Sequence, residues 1–247
     1  MSANQNNNSK ALRLETMNWL EAEAALGEET VVVIPLGAAA KQHGPHLPLN
    51  NDALIANWLA GEVCQRLPVV IAPLINASYY PAFVAYPGSI SLGLQTACNM
   101  MVDICRSIAA FGVTRFYVLN TGLSTEQPLS MASTELESEN IRLEYLKLSE
   151  AFSEFDSNQF RQQYGSHADE HETSLMLHIA AEVVNMDKAV DDGAEGEGIL
   201  SRKPGGGIWS TSGVYGQPTL ASADKGKLVA DALVECALRE IALLIEA

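Results

Sequence analysis

The sequence has little that would set the protein apart from ordinary globular chains. Its four cysteines are scattered, without a Cys-x-x-Cys pair, so we expect buried free thiols and neither a disulfide framework nor a cysteine-based zinc site. Basic residues are scarce: 15 Lys and Arg against 30 Asp and Glu give a net charge of −15, which would repel nucleic acid and anionic membranes. No apolar run approaches the length of a membrane span. We therefore predict a cytoplasmic protein that binds neither nucleic acid nor membrane.

The N-terminal residues are polar and lack the apolar core of a signal peptide. We expect residues 1–12 to form a disordered tail. We expect residues 13–247 to form a single domain, because no change of composition divides them. A chain of 247 residues with 47% hydrophobic residues can bury a large core.

Apolar, β-branched runs alternate with helical patterns along the chain. Residues 30–37, 69–75 and 115–120 are typical of buried parallel strands. Helical spacing of apolar residues predicts helices over 52–66, 94–111, 129–152, 171–186 and 222–246. This alternation predicts an α/β fold with a mainly parallel sheet that helices cover on both faces.

Four of the five histidines fall in two short clusters, each beside carboxylates. His43 and His46 follow the first predicted strand and precede Asp52, whereas His167 and His171 lie within an acidic segment that ends at Glu172. Loops at strand ends are where α/β proteins usually carry their chemistry. Imidazole with carboxylate is the ligand set of catalytic zinc or manganese. The two clusters therefore predict a metal site assembled from distant segments.

Four ordered motifs resemble those of the creatininase (creatinine amidohydrolase) family. They span most of the chain and read Gln42-His43-Gly44-Pro45-His46-Leu47-Pro48-Leu49 with Asp52, Tyr86-Pro87-Gly88-Ser89-Ile90-Ser91-Leu92, His167-Ala168 with Glu172-Thr173-Ser174, and Gly213-Val214-Tyr215-Gly216-Gln217-Pro218 with Ala221, Lys225 and Gly226. The resemblance implies a three-layer α/β/α sandwich, often assembled as a hexamer, so we expect a homo-oligomer. It also implies a metal-dependent hydrolase acting on non-peptide C–N bonds of small cyclic or linear amides.

Carried over by position, the resemblance implies His43, Asp52 and Glu172 as metal ligands and His167 as a proton carrier near the scissile bond. Two positions depart from the family pattern. Lys41 stands where the family has a glutamate ligand, and the segment from Asn120 to Glu126 lacks the family's further histidine at the turn. A lysine ammonium cannot bind a cation and repels one. We therefore expect at most one zinc or manganese ion per chain, or none, with Lys41 paired to Asp52 or Glu172.

Three hypotheses remain open at this point. In the first, the protein is a divergent amidohydrolase with one metal ion, to which His46 or His167 contributes. In the second, Lys41 is itself a catalytic residue, which replaces a lost cation electrostatically or forms a Schiff base without metal. In the third, the protein is a non-catalytic binding protein or scaffold that retains the fold. Further candidate site residues are His46, Glu126 and His171.

Overall fold

A computed structural model describes residues 12–153, 159–194 and 196–247. Its strands are β1 Leu12–Arg13, β2 Val31–Leu36, β3 Val70–Ile71, β4 Arg115–Asn120, β5 Arg142–Tyr145, β6 Leu200–Ser201 and β7 Ile208–Trp209. Its α-helices are α1 Trp19–Ala25, α2 Asn51–Cys64, α3 Leu94–Ala109, α4 Glu126–Glu137, α5 Leu148–Ser153, α6 Glu170–Ile179 and α7 Ala223–Glu246.

The main sheet has five strands in the order β1-β3-β2-β4-β5, and every neighbouring pair is parallel. Strand β2 is buried along its whole length, as its unbroken apolar sequence predicts. Val31 and Val33 pack into one hydrophobic cluster with α2, α6 and α7. Val32 and Ile34 pack into a second cluster with α3 and α4. The predicted α/β fold with a covered parallel sheet is therefore confirmed, with helices on both faces.

The strand order places a switch point between β2 and β4. From β2 the chain passes through α2 to β3 on one side, and it returns through α3, on the opposite face, to β4 on the other side. The loops that follow β2 and β4 therefore diverge and leave a crevice at the carboxyl end of the sheet. This crevice holds the candidate site.

Two predicted helices are wrong in extent. The helix predicted over 129–152 is replaced by α4, by β5 and by α5. The chain reverses at Asn140, which adopts φ 60°, and β5 then pairs with β4. The helix predicted over 171–186 ends at Ile179 and continues as two short 3-10 turns, Ala181–Val183 and Met186–Lys188. Helix α1 was not predicted.

Three smaller features concern the N-terminus, the thiols and the aromatic side chains. Of the tail expected over residues 1–12, residues 1–11 lie outside the described residues, and Leu12 belongs to β1. All four cysteines are buried and free, as expected. Tyr80, Phe83 and Tyr86 form a buried cluster. No helix in the described part of the chain is both long and apolar enough to cross a bilayer.

Candidate metal centre and active site

The two histidine clusters meet at the carboxyl end of the sheet. Lys41 and His43 lie in the loop between β2 and α2, and Asp52 lies in the first turn of α2. His167 lies in the loop before α6, and Glu172 lies in the first turn of that helix, whose N-cap is Asp169. A close approach fixes the first loop, because a Cβ on Gly37 would lie 2.2 Å from the carbonyl oxygen of Asp52. The end of β2 is thereby held against the start of α2.

Lys41 and Asp52 form a buried ion pair. Lys41 Nζ lies 2.8 Å from Asp52 Oδ2, and the side chains are 6% and 1% exposed. The ammonium also lies over the rings of Phe83 and Tyr80, at 4.8 and 5.5 Å from their centroids. Of the two carboxylates with which Lys41 was expected to pair, the structure shows Asp52 as the partner.

His43 is held between a carbonyl and two carboxylates. Its Nδ1 lies 2.8 Å from the carbonyl oxygen of Lys41, which can only accept, so we assign the ring proton to Nδ1. Nε2 then faces Asp52 Oδ1 at 2.8 Å and Glu172 Oε1 at 3.3 Å. Burial alone would lower the pKa of His43, but these carboxylates outweigh it and raise the pKa to about 9. The space around Nε2 therefore favours a positive charge.

His167 is oriented in the same way from the other side of the centre. Its Nε2 lies 2.8 Å from the carbonyl oxygen of Gln42, which directs Nδ1 towards Glu172 Oε2 at 3.8 Å. Burial, together with the neighbouring charge on His43, lowers the pKa of His167 to about 3. Burial opposes the charged form of Glu172, but His43 outweighs it and lowers the pKa of that carboxyl. A neutral imidazole lone pair thus faces an ionised carboxylate.

The described side chains fit one divalent ion. A nitrogen of His43, a nitrogen of His167 and a carboxylate oxygen of Glu172 lie within 4.8 Å of one another. In each ring the other nitrogen lies 2.8 Å from a backbone carbonyl oxygen, so we assign an N–H donor to it; this is the outer arrangement that commonly orients metal-binding histidines. A divalent ion would take the place of the proton on His43 Nε2. Asp52, the other carboxylate expected to bind metal, is paired with Lys41 and with His43.

The three additional candidate residues lie in different surroundings. His46 Nε2 contacts Thr173 Oγ1 at 2.8 Å, its Nδ1 is buried without a hydrogen-bond partner, and burial lowers its pKa to about 4. His171 lines the adjoining cavity and contacts Gln162 and Asp169. Glu126 is directed elsewhere: its Oε1 accepts the backbone N–H of Leu148 at the start of α5.

Sequence reasoning missed three groups that position the site. Asn51 Nδ2 donates to Glu172 Oε1 at 3.0 Å, and the backbone N–H of Ala168, held at φ 49°, donates to Glu172 Oε2 at 2.6 Å. The side-chain amide of Gln42 donates to the carbonyl of Gly213 at 2.8 Å. This contact holds Gln42 in place, and the backbone carbonyl of Gln42 is the group that orients His167. Amides and backbone groups have no distinctive chemical signature in a sequence. The available signal was position: Asn51 directly precedes Asp52, and Gln42 and Ala168 stand beside His43 and His167 within the quoted motifs.

A cavity of about 540 Å³ opens onto the centre. Its lining includes Lys41, His167 and Glu172, whereas His43 and Asp52 lie behind them, each fully buried. A ligand in the cavity would meet an ammonium, a neutral imidazole and a carboxylate at one place.

A family profile described as creatinine amidohydrolase matches residues 15–241. The chain belongs to the creatininase family. Solved creatininases share the fold: one mutant complexed with creatine has a TM-score of 0.81 at 22% identity and covers 96% of this chain and 100% of its own. A structure described as manganese creatininase has a TM-score of 0.77, with the same identity and coverage. The three-layer creatininase architecture expected from the sequence is thus confirmed.

Curated relatives in this family carry several hydrolase names. A mycofactocin precursor peptide peptidase from Mycolicibacterium smegmatis is 28% identical over 219 residues, which are 85% of this chain and 83% of that protein. The creatinine amidohydrolase of Pseudomonas putida is 26% identical over 203 residues, covering 74% and 77%. A 3-dehydro-scyllo-inosose hydrolase from Thermotoga maritima is 26% identical over 251 residues, covering 90% and 79%. The chain therefore has a hydrolase fold whose relatives differ in substrate.

Proposed function

We propose that the protein is a metal-dependent amidohydrolase that holds one zinc or manganese ion and cleaves a C–N bond of a small amide. The observation that carries this proposal is the convergence of His43, His167 and Glu172, whose candidate ligand atoms lie within 4.8 Å of one another beside a cavity. A catalytic zinc site uses about three protein ligands and keeps one position open.

We assign the ligands to His43, His167 and Glu172. The resemblance had assigned Asp52 as a ligand and His167 as the proton carrier. Asp52 directs one oxygen at Lys41 and the other at His43, so it serves here to orient the ring and to balance the ammonium. Without an ion, His167 would keep the proton-carrier role that the resemblance assigns to it, as a weak base, because burial and the charge on His43 lower its pKa to about 3.

Hydrolysis adds water across the amide: the water oxygen bonds to the carbonyl carbon, the C–N bond breaks, and the amine leaves with a proton. When bound, a divalent ion supplies Lewis acidity towards the carbonyl and lowers the pKa of water. Lys41 lines the cavity and presents its ammonium to the carbonyl oxygen of a bound amide. That oxygen gains negative charge in the transition state, which a fixed cation in a buried site stabilises.

A second function, metal-free binding of a small molecule, is favoured by the Lys41–Asp52 pair. The ammonium already neutralises one carboxylate of the centre, and the proton on His43 neutralises the second. The centre is then balanced without a metal ion. In this alternative the protein would bind amides or carboxylates without hydrolysing them.

One experiment separates the two functions. Purified protein is screened against small cyclic and linear amides, with and without added Zn²⁺ or Mn²⁺, while ammonia or amine release and thermal unfolding are followed. Metal-dependent release that H167A abolishes supports the hydrolase. The matched control is H178A, because His178 is exposed on α6. Ligand-dependent stabilisation without any release would support the binding protein instead.

A further inference from the structure

Lys41, His167 and Glu172 of the candidate centre all line the cavity. Of the other polar residues in the lining, several already use their side chains inside the protein. Asn120 donates to the carbonyls of Gly122 and Leu146, Thr121 donates to Leu36, and Ser124 donates to Tyr79. Asp169 accepts from the backbone N–H groups of His171 and Glu172. The lining also includes Ser149, Ser166, His171 and Tyr215. Of all these groups, Lys41, His167 and Glu172 are the ones that meet at the candidate metal centre, so we assign the polar end of a ligand to them.

Apolar side chains cover much of the remaining surface of the cavity. We call six of them the apolar wall: Phe83, Leu123, Leu148, Ile199, Leu200 and Ile208. Two members are unusually open to solvent, because Leu123 is 50% exposed and Ile199 is 63% exposed. They come from separate segments, the turn after β4 and the segment before β6, yet both border the same cavity. Apolar surface of this kind at a ligand site indicates contact with an apolar group.

We propose that the site takes amphipathic amides, with the amide head at Lys41, His167 and Glu172 and an alkyl or phenyl group along the apolar wall. This inference rests on the proposed function for the amide head, and it adds the substrate class. A compact amide that is polar on every side would leave the wall in contact with water. Its distal donors and acceptors would exchange part of their water for contact with hydrocarbon along the wall. A cavity of about 540 Å³ has room for the larger, apolar ligand.

The test is a series of primary amides that differ only in the tail: acetamide, propanamide, butanamide and hexanamide. Adipamide, which has the chain of hexanamide but a second amide at its far end, is the matched polar control. Calorimetry on the zinc-supplemented full chain gives the Kd of each compound, and ammonia release is followed in parallel. We expect Kd to fall about fourfold for each added methylene. We expect adipamide to bind at least about tenfold more weakly than hexanamide.

Two variants connect that trend to the apolar wall. L123S and I199N alter exposed side chains, so both are expected to fold, and each should flatten the dependence of Kd on chain length. L243S is the control, because Leu243 is 61% exposed on α7 and does not line the cavity. In L243S the dependence of Kd on chain length should be the same as in the parent protein.

The outcomes for the substrate class and for the hydrolase are distinguishable. Tail-dependent binding without ammonia release would uphold the apolar wall and refute the hydrolase. Two results would overturn the proposed amphipathic substrate without contradicting the hydrolase. One is ammonia release from acetamide with a Kd that does not depend on chain length, and the other is equal Kd values for adipamide and hexanamide. A trend that survives in both L123S and I199N, or no binding of any amide, also overturns the amphipathic substrate.

Discussion

Lys41 Nζ lies 2.8 Å from Asp52 Oδ2 in the interior of the candidate site, with both side chains almost wholly buried. A buried charge is tolerated only when it is paired, so loss of either residue would leave an uncompensated charge in the interior. Burial opposes the charged form of Asp52, but Lys41 and His43 outweigh it and lower the pKa of the carboxyl. The Lys41–Asp52 pair therefore occupies one carboxylate of the centre, and it limits how much additional positive charge can enter.

Exchanging that cation for a carboxylate should increase metal binding. In K41E the repulsive ammonium disappears, Asp52 loses its partner, and a new oxygen ligand is added beside it. We expect the zinc content to rise from at most one equivalent per chain towards two. The affinity of the centre for zinc should rise roughly tenfold or more. Elemental analysis and competition with a chromophoric chelator measure both quantities. K41M is the control, because it removes the repulsion without adding a ligand. In this variant the affinity for zinc should rise, but the zinc content should not rise towards two equivalents. Unchanged metal content in K41E would contradict the role assigned to Lys41.

Asn51 should support the metal site from outside. Its amide donates to Glu172 Oε1, and outer partners of this kind typically contribute about 10- to 100-fold in metal affinity. We expect N51A to weaken zinc binding by that factor while the protein stays folded. N57A, an exposed asparagine on the same helix, should bind zinc as the parent does. Equal zinc affinities for N51A and N57A would show that Asn51 does not position Glu172.

The pair between Lys225 and Glu170 should stabilise the packing of α7 on α6. Glu170 is fully buried and also accepts the backbone N–H groups of Arg161 and Gln162. Removing its cation in K225M leaves a buried charge, which we expect to cost about 3 kcal/mol of unfolding free energy. The control is K227M, which breaks the exposed pair with Asp231 and should cost less than about 1 kcal/mol. Urea unfolding of the two variants makes the comparison, and similar losses would refute the prediction.

Two glycines should respond oppositely to alanine. A Cβ on Gly226 would lie 1.9 Å from the carbonyl oxygen of Ser174, so G226A must push α7 away from α6. We expect a loss of about 3 kcal/mol or more. A Cβ on Gly61 in α2 meets nothing within 4 Å, and G61A should stabilise the helix by about 0.5–1 kcal/mol. Thermal unfolding distinguishes them, and a stable G226A would show that the two helices can separate without cost.

Self-association remains a prediction from the family resemblance. Trp19 and Leu20 of α1 are 72% and 56% exposed, which is apolar surface that a second copy could cover. Light scattering at micromolar concentration is expected to give a mass several times 26.5 kDa. W19S should lower that mass if α1 lies in the interface. A monomer for the parent protein would contradict the prediction.

The sequence predicted the elements that are buried on both faces. β2 and β4 consist almost entirely of buried residues, so their patterns had no competing interpretation. β5 was missed because Leu143 is its single fully buried residue, and its alternation with charged neighbours also fits a helix surface. The His43 cluster follows β2, so its place at the carboxyl end of the sheet could be predicted from parallel topology. In the described residues no strand leads into His167, and its segment was placed there only by the family resemblance. The contacts of Gln42 and Asn51 depend on distances of about 3 Å across the fold, which no local pattern encodes.

The rings of His43 and His167 are held by the main-chain carbonyls of Lys41 and Gln42, and Glu172 is held in part by the main-chain N–H of Ala168. The shape of the centre thus depends on the path of the backbone more than on the side chain at position 41. A single base separates the codons for lysine and glutamate. One point mutation can therefore replace the ammonium of this centre by a carboxylate while the main-chain contacts that hold both rings are kept, so a single substitution separates a centre with its own cation from one that would need a bound cation.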